Sequence, residues 1–502
     1  MSRVQAVLHW LEARSDWLNP IVVKEVRQVV RGREFNYSFV ASLVYGVAVA
    51  FFGAADALAG GTGAGRWTFF ALIGCLGFVG LGVVPLGAFS ALRTERMEQT
   101  LDLMTLTALS ARRVVVGKLL AQGVKLITLF SAIAPFIAMS FLLGGIDFVT
   151  ILVSLAVLFM WALWACSLCL FLSTLLRSRA MSGLVFGAIG IMMLLIFTAA
   201  RMLFFAAQRG ALMGGPAFGP ATSDFWWALA MATTVCVVTA INFVLLAENR
   251  LSLPTENRVT TLRIGFFGQF AALAAWVLTF VGDPASTREN AVDVLGTIGG
   301  IHLAMVAIFT VSEDLVVSRR VRLGMPRRSL LAMLYPGGGR GAVYVLVQMA
   351  AMMGVAVAMG ASALQVRWLL AICGYICFFT GVPTLLFRLI APERPSLHLR
   401  VALVLLLPLA MTLPDIVHYL VSQNEVLNLN FGARHLFNPF RTIVNWHVVE
   451  ARHMFFLPLL IGLTGLIAYV GVIHLGRLAA QPVAIDPSRA AAGEPGSADA
   501  IY

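Results

Sequence analysis

The sequence is poor in charged residues, and this scarcity excludes a water-soluble globular protein. Only 12% of the 502 residues are Asp, Glu, Lys or Arg, whereas hydrophobic residues make up 60%. An average soluble protein has about 25% charged residues, so this chain has too little polar surface to cover itself in water. Its net charge is +12, but a chain this apolar indicates a membrane rather than a nucleic acid as its partner.

Long apolar stretches account for most of the chain. A helix needs about 20 apolar residues to cross a bilayer, and eleven stretches without Asp, Glu, Lys or Arg are long enough. A twelfth, 401–424, is interrupted only by Asp415. The sequence therefore predicts an all-α polytopic membrane bundle of about twelve transmembrane helices. The eleven uncharged stretches are 35–55, 67–92, 126–146, 148–176, 180–200, 225–247, 264–282, 294–312, 341–366, 368–387 and 454–476.

Basic residues are distributed unevenly between the predicted loops. With the N-terminus in the cytoplasm, 28 of the 36 basic residues lie on the cytoplasmic side of this layout. Since Lys and Arg favour that side, we expect both termini to be cytoplasmic. Residues 1–34 carry ten charges and no long apolar core, so they do not resemble a secretory signal.

The chain lacks the residue patterns of common catalytic and metal sites. No Walker A sequence occurs, so the chain is not expected to hydrolyse ATP alone. His447, Glu450 and His453 are spaced so that they do not share one helix face. We therefore predict no enzyme activity, cofactor or metal site, and interpret the cysteines, all within predicted spans, as packing residues. They are Cys75, Cys166, Cys169, Cys236, Cys373 and Cys377.

Residues 19–34 have the pattern of an amphipathic helix. Asn19 and Pro20 provide a cap followed by a first-turn proline. Valines recur at helical spacing on one side, at Val22, Val26, Val29 and Val30. The other side carries Lys24, Glu25, Arg27, Gln28 and Arg31. We predict a helix that lies on the inner leaflet, with its arginines against anionic lipid. A solvated helix with no role beyond anchoring is the alternative.

Residues 93–125 form the most informative polar segment. The segment begins with alternating charge and ends basic, and Thr107 or Ser110 could cap a helix leading into the third span. Its apolar residues are too many for a solvated loop and indicate a short helix that contacts another protein. They are Leu101, Leu103, Met104, Leu106 and Leu109. Lys118, Gln122 and Lys125 follow as a polar stripe whose lysines are expected to snorkel to the membrane surface.

The stretch from Glu95 to Leu120 resembles the intracellular signature of type-2 ABC (ATP-binding cassette) transporter permeases. Gln99 and Ala108 stand where the family usually has glycine and proline. Residues 19–28 are similar to the family's helix before the first span, and residues 172–180 to its turn after the fourth. Three such stretches in order are more specific than any one of them. The matching signature positions are Thr100-Leu101-Asp102, Thr107, Leu109-Ser110 and Gly117-Lys118-Leu119-Leu120.

The resemblance implies the permease subunit of an exporter that a separate cytoplasmic ATPase drives. It implies a bacterial inner-membrane location, with lipids and a second permease copy as further contacts. By this resemblance, the residues expected to contact the ATPase and couple it to the spans are Glu95, Glu98, Leu101, Asp102, Leu103, Met104, Leu106, Arg112 and Arg113. The predicted domains are an N-terminal segment (1–34), a permease-like bundle (35–250) with coupling segment 93–118, a linker (251–263), a second bundle (264–481) and a disordered tail (482–502).

The second half offers weaker functional signals. Residues 313–340 carry six arginines and a Pro336–Gly339 break, interpreted as an inside-positive loop with a flexible hinge, or else as a second docking surface. His302, Asp415 and His418 are ionisable groups within predicted spans, where such groups suggest proton or substrate handling. An ion-gradient-driven secondary transporter built on them is the main alternative function, and a non-transporting membrane scaffold is another.

Overall fold

The computed structural model describes residues 20–97, 111–175, 223–252, 256–323, 330–391, 398–406 and 436–479. Positions 62, 145, 316, 318, 405, 437, 452 and 453 and the side chains of a few helical residues are excepted, and Gly187, Gly190 and Met325 are described in addition. Within this part of the chain every regular element is helical and no strand occurs. The all-α class predicted from the apolar stretches is therefore observed.

Fifteen α-helices are labelled here in chain order. A π-helical turn, Val79–Val83, joins the third to the fourth, and a 3-10 turn lies at Leu330–Leu334. The helices are α1 Pro20–Arg31, α2 Arg33–Leu58, α3 Ala64–Phe78, α4 Val84–Met97, α5 Ala111–Leu142, α6 Phe148–Leu175, α7 Ser223–Leu251, α8 Thr260–Leu278, α9 Ala285–Thr310, α10 Arg319–Leu323, α11 Gly338–Ala358, α12 Ala363–Ile390, α13 Pro439–Val444, α14 Trp446–Ala451 and α15 Phe456–Ala479.

Ten helical segments of the described chain are long and apolar enough to cross a bilayer, and each coincides with a predicted span. One of the ten, Ala64–Thr94, combines α3, the π turn and most of α4. Predicted spans 180–200 and 401–424 fall almost entirely outside the described residues, so the count of twelve stays a prediction. Large apolar side chains such as Phe51 and Leu58 are 69% and 90% exposed, as expected for surfaces that face lipid. The protein is an integral membrane protein of bundled helices.

The chain divides into two compact units. Unit 1 contains Met1–Leu253 and Thr261–Ala272, and unit 2 contains Pro254–Thr260 and Leu273–Tyr502. Most of α8 therefore belongs to unit 1, although the sequence led us to expect its span in the second bundle. The domain boundaries predicted above otherwise stay predictions.

Unit 1 packs its helices around two apolar clusters. One lies where α4, α5 and α6 meet and contains Val84, Phe89 and Leu126. The other joins α3 to α5 through residues such as Leu72 and Ile133. Lipid is as apolar as these side chains, so close van der Waals fit rather than hydrophobic burial must hold such spans together.

Unit 2 is organised around α12, which has its closest partner in α15. Gly374 on α12 meets Gly462 on α15 so closely that a Cβ built on Gly374 would lie 2.8 Å from the Gly462 Cα. A Cβ on Gly465 would lie 2.3 Å from the Phe378 backbone nitrogen. Small residues allow this close approach of two backbones, as is common between membrane helices.

Candidate functional site

The N-terminal helix α1 is joined to α5 by a buried ion pair. Lys118 Nζ lies 3.0 Å from Glu25 Oε1, and the two side chains are 2% and 5% exposed. Lys118 belongs to the Gly117–Leu120 motif and Glu25 to the predicted interfacial helix. The pair therefore connects the two segments that the sequence had indicated separately.

The helix geometry explains how Glu25 reaches the interior. Val22 and Glu25 are both buried and lie three residues apart on α1, while Val26 is half-buried. Residues three and four apart share one helix face. Gly32 then leaves the helical conformation, with φ −66° and ψ 138°, and separates α1 from α2. That break allows α1 to pack along α5 instead of continuing into the first span.

The exposed side of α1 carries the predicted basic residues. Lys24, Arg27 and Arg31 are exposed, whereas Glu25 is buried. Of the four residues predicted for the interfacial helix, three are thus exposed and one is buried in the bundle. The location of this helix at a membrane surface stays a prediction.

The stripe of Lys118, Gln122 and Lys125 on α5 faces the interior of unit 1. All three side chains are at most 4% exposed, so the expectation that the lysines snorkel to the surface is wrong. A carboxylate meets each lysine. Glu34 interacts electrostatically with Lys125, and both approach Gly87 on α4, where an added Cβ would lie 3.5 Å from Lys125 Nζ.

A buried charge is tolerated when an opposite charge or hydrogen bonds compensate for its lost hydration. Glu25 supplies that compensation to Lys118, and the interaction with Glu34 offsets part of the lost hydration of Lys125. Gln122 between them leaves its Oε1 without a hydrogen-bond partner among the described residues. Such an unsatisfied oxygen is unusual in a packed interior, because it loses its hydration without a replacement.

Most of the predicted coupling residues lie outside the part of the chain that is described. Glu98, Leu101, Asp102, Leu103, Met104 and Leu106 belong to this group. Glu95 falls within α4, but its side chain is not described. Arg112 and Arg113 occupy the first turn of α5, and both are exposed. The contact of this segment with an ATPase is therefore still a prediction.

A π-helical turn interrupts the span that leads to the coupling segment. Val79–Val83 contains Gly80 and Gly82 and lies between α3 and α4. A Cβ on Gly80 would make ordinary contact with Ala162 of α6, 3.6 Å away. Single π turns within membrane or soluble helices are often associated with functional sites. Neither the apolar pattern nor the two glycines predicted this turn.

His302 is the one predicted intramembrane polar residue that falls within the described chain. It is buried on α9, and its Nε2 lies 3.2 Å from Gln348 Oε1 on α11. The Gln348 Nε2 has no hydrogen-bond partner among the described residues. The predicted companions Asp415 and His418 lie outside the described residues, so the structure does not test a site made by all three.

Two arginines bind the carboxyl end of α9, an arrangement that the sequence did not predict. Arg388 Nη2 donates to the carbonyl oxygens of Ser312 and Glu313, at 3.0 and 3.1 Å, and to Asp314 Oδ1 at 3.1 Å. Arg400 Nη2 donates to the Phe309 carbonyl at 3.1 Å. Cations favour this end of a helix, where carbonyl groups lack intrahelical partners. The available signal was that each arginine directly adjoins an apolar stretch, Arg388 at the end of 368–387 and Arg400 before 401–424.

The Pro336–Gly339 break is closely packed, which contradicts its interpretation as a flexible hinge. Gly337 N donates to Glu313 Oε2 at 2.9 Å, and its φ of 126° favours glycine. A Cβ on Gly339 would lie 3.1 Å from the Val472 carbonyl of α15, and one on Gly341 only 2.0 Å from the Thr310 carbonyl. The glycines therefore permit α11 to cross α9 and α15 closely.

Unit 2 also contains a cavity of about 880 Å³ between α9 and α12. Its apolar walls include Ile301 and Phe379, and one end is lined by Glu289, Asp293 and His447. Of His447, Glu450 and His453, which were not expected to form a metal site, only His447 has a side chain within the described part of the chain. Among the described residues, no group of three or more His, Cys, Asp or Glu residues could hold a metal ion.

Comparison of the chain with protein-family models, with curated proteins and with solved structures finds no match.

Proposed function

We propose that this chain is the membrane-spanning permease subunit of an ABC-type exporter, driven by a separate cytoplasmic ATPase. The observation that carries the proposal is the buried Glu25–Lys118 ion pair. It supports the proposal because it joins two of the three stretches that resemble type-2 ABC permeases. Two independent surface segments would have no reason to share a buried charge pair.

The contacts around α5 suggest how force on the coupling segment would reach the spans. Residues 98–110 connect the end of α4 to the start of α5. A displacement of that connection acts covalently on both helices, and the ion pair would carry it from α5 into α1. Because a buried pair is weakly screened by salt and solvent, α1 and this end of α5 would move together. The π turn preceding α4 offers a point where that span could change register.

The proposal includes an orientation and partners. Both termini lie in the cytoplasm of a bacterium, and the subunit resides in the inner membrane. The exposed Lys24, Arg27 and Arg31 meet anionic lipid headgroups. The ATPase binds segment 93–118, and a second permease copy would complete the transporter unless unit 2 takes that role.

The decisive experiment measures ATP hydrolysis by the full chain purified with its associated proteins in nanodiscs. We expect hydrolysis to co-purify with the chain and to be lost when residues 99–110 are deleted. A deletion of equal length in the tail, residues 485–496, is the matched control and should retain hydrolysis. Size-exclusion profiles and membrane insertion should be equal for both deletions.

Hydrolysis that survives deletion of 99–110 would remove the coupling assignment. The second candidate function is a secondary transporter, favoured by the buried His302–Gln348 contact between α9 and α11. It predicts that uptake or release by ATP-depleted vesicles follows a proton gradient and is sensitive to His302→Gln. Gradient-driven transport without any associated ATPase would replace the permease proposal.

A further inference from the structure

The cavity in unit 2 has the dimensions of a binding site for an elongated molecule. Its volume of about 880 Å³ falls within the range of roughly 300–1,000 Å³ typical of small-molecule sites. Residues of α9 line it from Glu289 to Ile308, which at about 1.5 Å per helical residue is a length of roughly 28 Å. The site is therefore long, as an alkyl chain or an extended hydrophobic molecule requires.

The two long walls of the cavity are apolar. Ile301 and Ile308 line it from α9, while Ile376 and Phe379 line it from α12. At the base of the cleft the helices touch, because a Cβ on Gly300 would lie 2.8 Å from the Ile372 side chain. The hydroxyls of Thr297, Tyr375 and Thr380 also line the cavity. They already form hydrogen bonds with the Asp293 carbonyl, the Leu436 carbonyl and the Tyr469 hydroxyl, so these walls have little to offer a polar molecule.

One end of the cavity carries two carboxylates. Glu289 and Asp293 lie one turn apart on α9, and no Lys or Arg is present among the described lining residues. Gln365, buried on α12, fixes Asp293 by donating from Nε2 to Asp293 Oδ1 at 2.9 Å and to the Glu289 carbonyl at 3.0 Å. Both carboxylates are exposed at the mouth of the cleft, where two negative charges attract a cation and repel an anion.

A short helical segment covers part of this end. Trp368 on α12 donates from Nε1 to the Ile443 carbonyl of α13 at 3.1 Å, and Tyr375 donates its hydroxyl to the Leu436 carbonyl. Trp446 of α14 joins the same apolar cluster and lines the cavity. The acidic end is thus a structured opening of the cavity, bounded by α9, α12 and the α13–α14 segment.

We propose that this cavity binds a cationic amphiphile. Its positive head lies between the carboxylates of Glu289 and Asp293, and its apolar body extends along Ile301 and Phe379. The inference goes beyond the proposed function, because it rests on unit 2 alone and holds whatever drives transport. It commits to one ligand class: a single cation attached to a long hydrophobic chain.

The test is equilibrium binding of radiolabelled dodecyltrimethylammonium to the full chain in nanodiscs of zwitterionic lipid. Dodecyl sulfate and dodecyl maltoside have the same chain with an anionic or a neutral head. We expect saturable binding of one cation per chain, and weaker binding of the neutral and anionic compounds. The double variant Glu289→Gln with Asp293→Asn should weaken cation binding by roughly tenfold or more, since two charges act at close range.

Matched variants keep this test independent of folding. In the double variant, Asp293→Asn retains the oxygen that accepts from Gln365. The control Asp283→Asn removes an exposed carboxylate that does not line the cavity, so this variant should bind the cation normally. Ile301→Trp places a large side chain in the apolar part of the cavity and should block the binding of all three compounds. Met305→Trp lies one turn away and outside the cavity lining, so it should not block binding. Equal affinity for sulfate and ammonium heads would overturn the proposal, as would unchanged cation binding by the double variant.

Discussion

The two units use their buried charges in different ways. In unit 1, Lys118 on α5 pairs with the carboxylate of Glu25, and Lys125 interacts electrostatically with Glu34. In unit 2, Arg388 donates mainly to backbone carbonyls at the end of α9. The first arrangement holds an extra helix against the bundle, whereas the second completes the end of a span. The buried charge that attaches a helix to the bundle therefore pairs with a side chain, whereas the one at the end of a span pairs mainly with backbone carbonyls.

The largest effect is expected where unit 2 depends on close backbone contact. Gly465→Leu would place a side chain against the Phe378 backbone nitrogen, 2.3 Å from the Cβ position. Overpacking that side-chain shifts can absorb costs about 1–3 kcal/mol, but here the backbone of α12 would have to move, so we expect unit 2 to lose its native packing altogether. Mass spectrometry of thiol labelling reports each unit separately. Buried Cys373 and Cys377 should become reactive, while Cys166 and Cys169 of unit 1 stay protected.

A control for this substitution is Gly354→Leu on α11. Gly354 has no heavy atom within 4 Å of its Cβ position, so the added side chain enters open space and labelling should match the unmodified protein. If Gly465→Leu also left Cys373 and Cys377 protected, the α12–α15 contact would not be what holds unit 2 together.

The next effect concerns the ion pair of unit 1. Lys118→Met leaves Glu25 buried without its cation, and removal of one member of a buried pair costs about 3–5 kcal/mol. The free energy of unfolding, measured by denaturant titration in mixed micelles, should fall by that amount. Arg112→Met, at an exposed site on the same helix, should change it by less than about 0.5 kcal/mol.

The double variant Glu25→Met with Lys118→Met sharpens the same comparison. Replacement of a whole buried pair by apolar residues of similar size is often neutral, so most of the lost stability should return. A double variant as unstable as Lys118→Met alone would mean that the pair does not act as a unit.

The smallest effect lies at the start of α6. Asp147 accepts from the Thr150 hydroxyl at 2.6 Å and from its backbone N–H at 2.9 Å. These bonds hold the pKa of Asp147 below its ordinary value of 3.8. A lowered pKa contributes stability above the unfolded-state value of about 3.9, and this contribution is lost as pH falls through the folded-state pKa.

Asp147→Ala removes this cap and should cost about 1 kcal/mol at pH 7. The difference from the unmodified protein should shrink when thermal unfolding is followed down to about pH 3. Asp283→Ala, an exposed carboxylate of unit 2, should show no such pH-dependent loss. A constant difference for Asp147→Ala at all pH values would exclude the charged cap as its cause.

The positions of ten spans could be predicted because hydrocarbon thickness sets the length of an uncharged run. The start of α5 shows the limit of this rule. Lys125 set the predicted start of the third span at residue 126, and the helix itself begins at Ala111, directly after the predicted cap candidate Ser110, but Lys118 and Lys125 are buried within unit 1. A charged residue indicates where an isolated helix would leave the lipid. It does not indicate whether carboxylates elsewhere in the chain compensate for a lysine that is buried in the bundle.

Glu25 shows the corresponding limit for an amphipathic pattern. It follows Val22 by three positions and so lies at the edge of the apolar face, and its charge led us to place it on the polar side. Its partner is 93 residues away. The cavity of unit 2 was equally hidden, because its lining comes from four separate parts of the chain and none of them has an unusual pattern.

The separation of Glu25 from Lys118 also sets an order of events during synthesis. Ribosomes add about 5–20 residues per second, so the step from Glu25 to Lys118, 93 residues further along the chain, takes roughly 5–20 s. Until then Glu25 has no lysine to meet and must remain hydrated. Among the described helices α1 is the first to be made, yet it can dock in unit 1 only after α5 has been made.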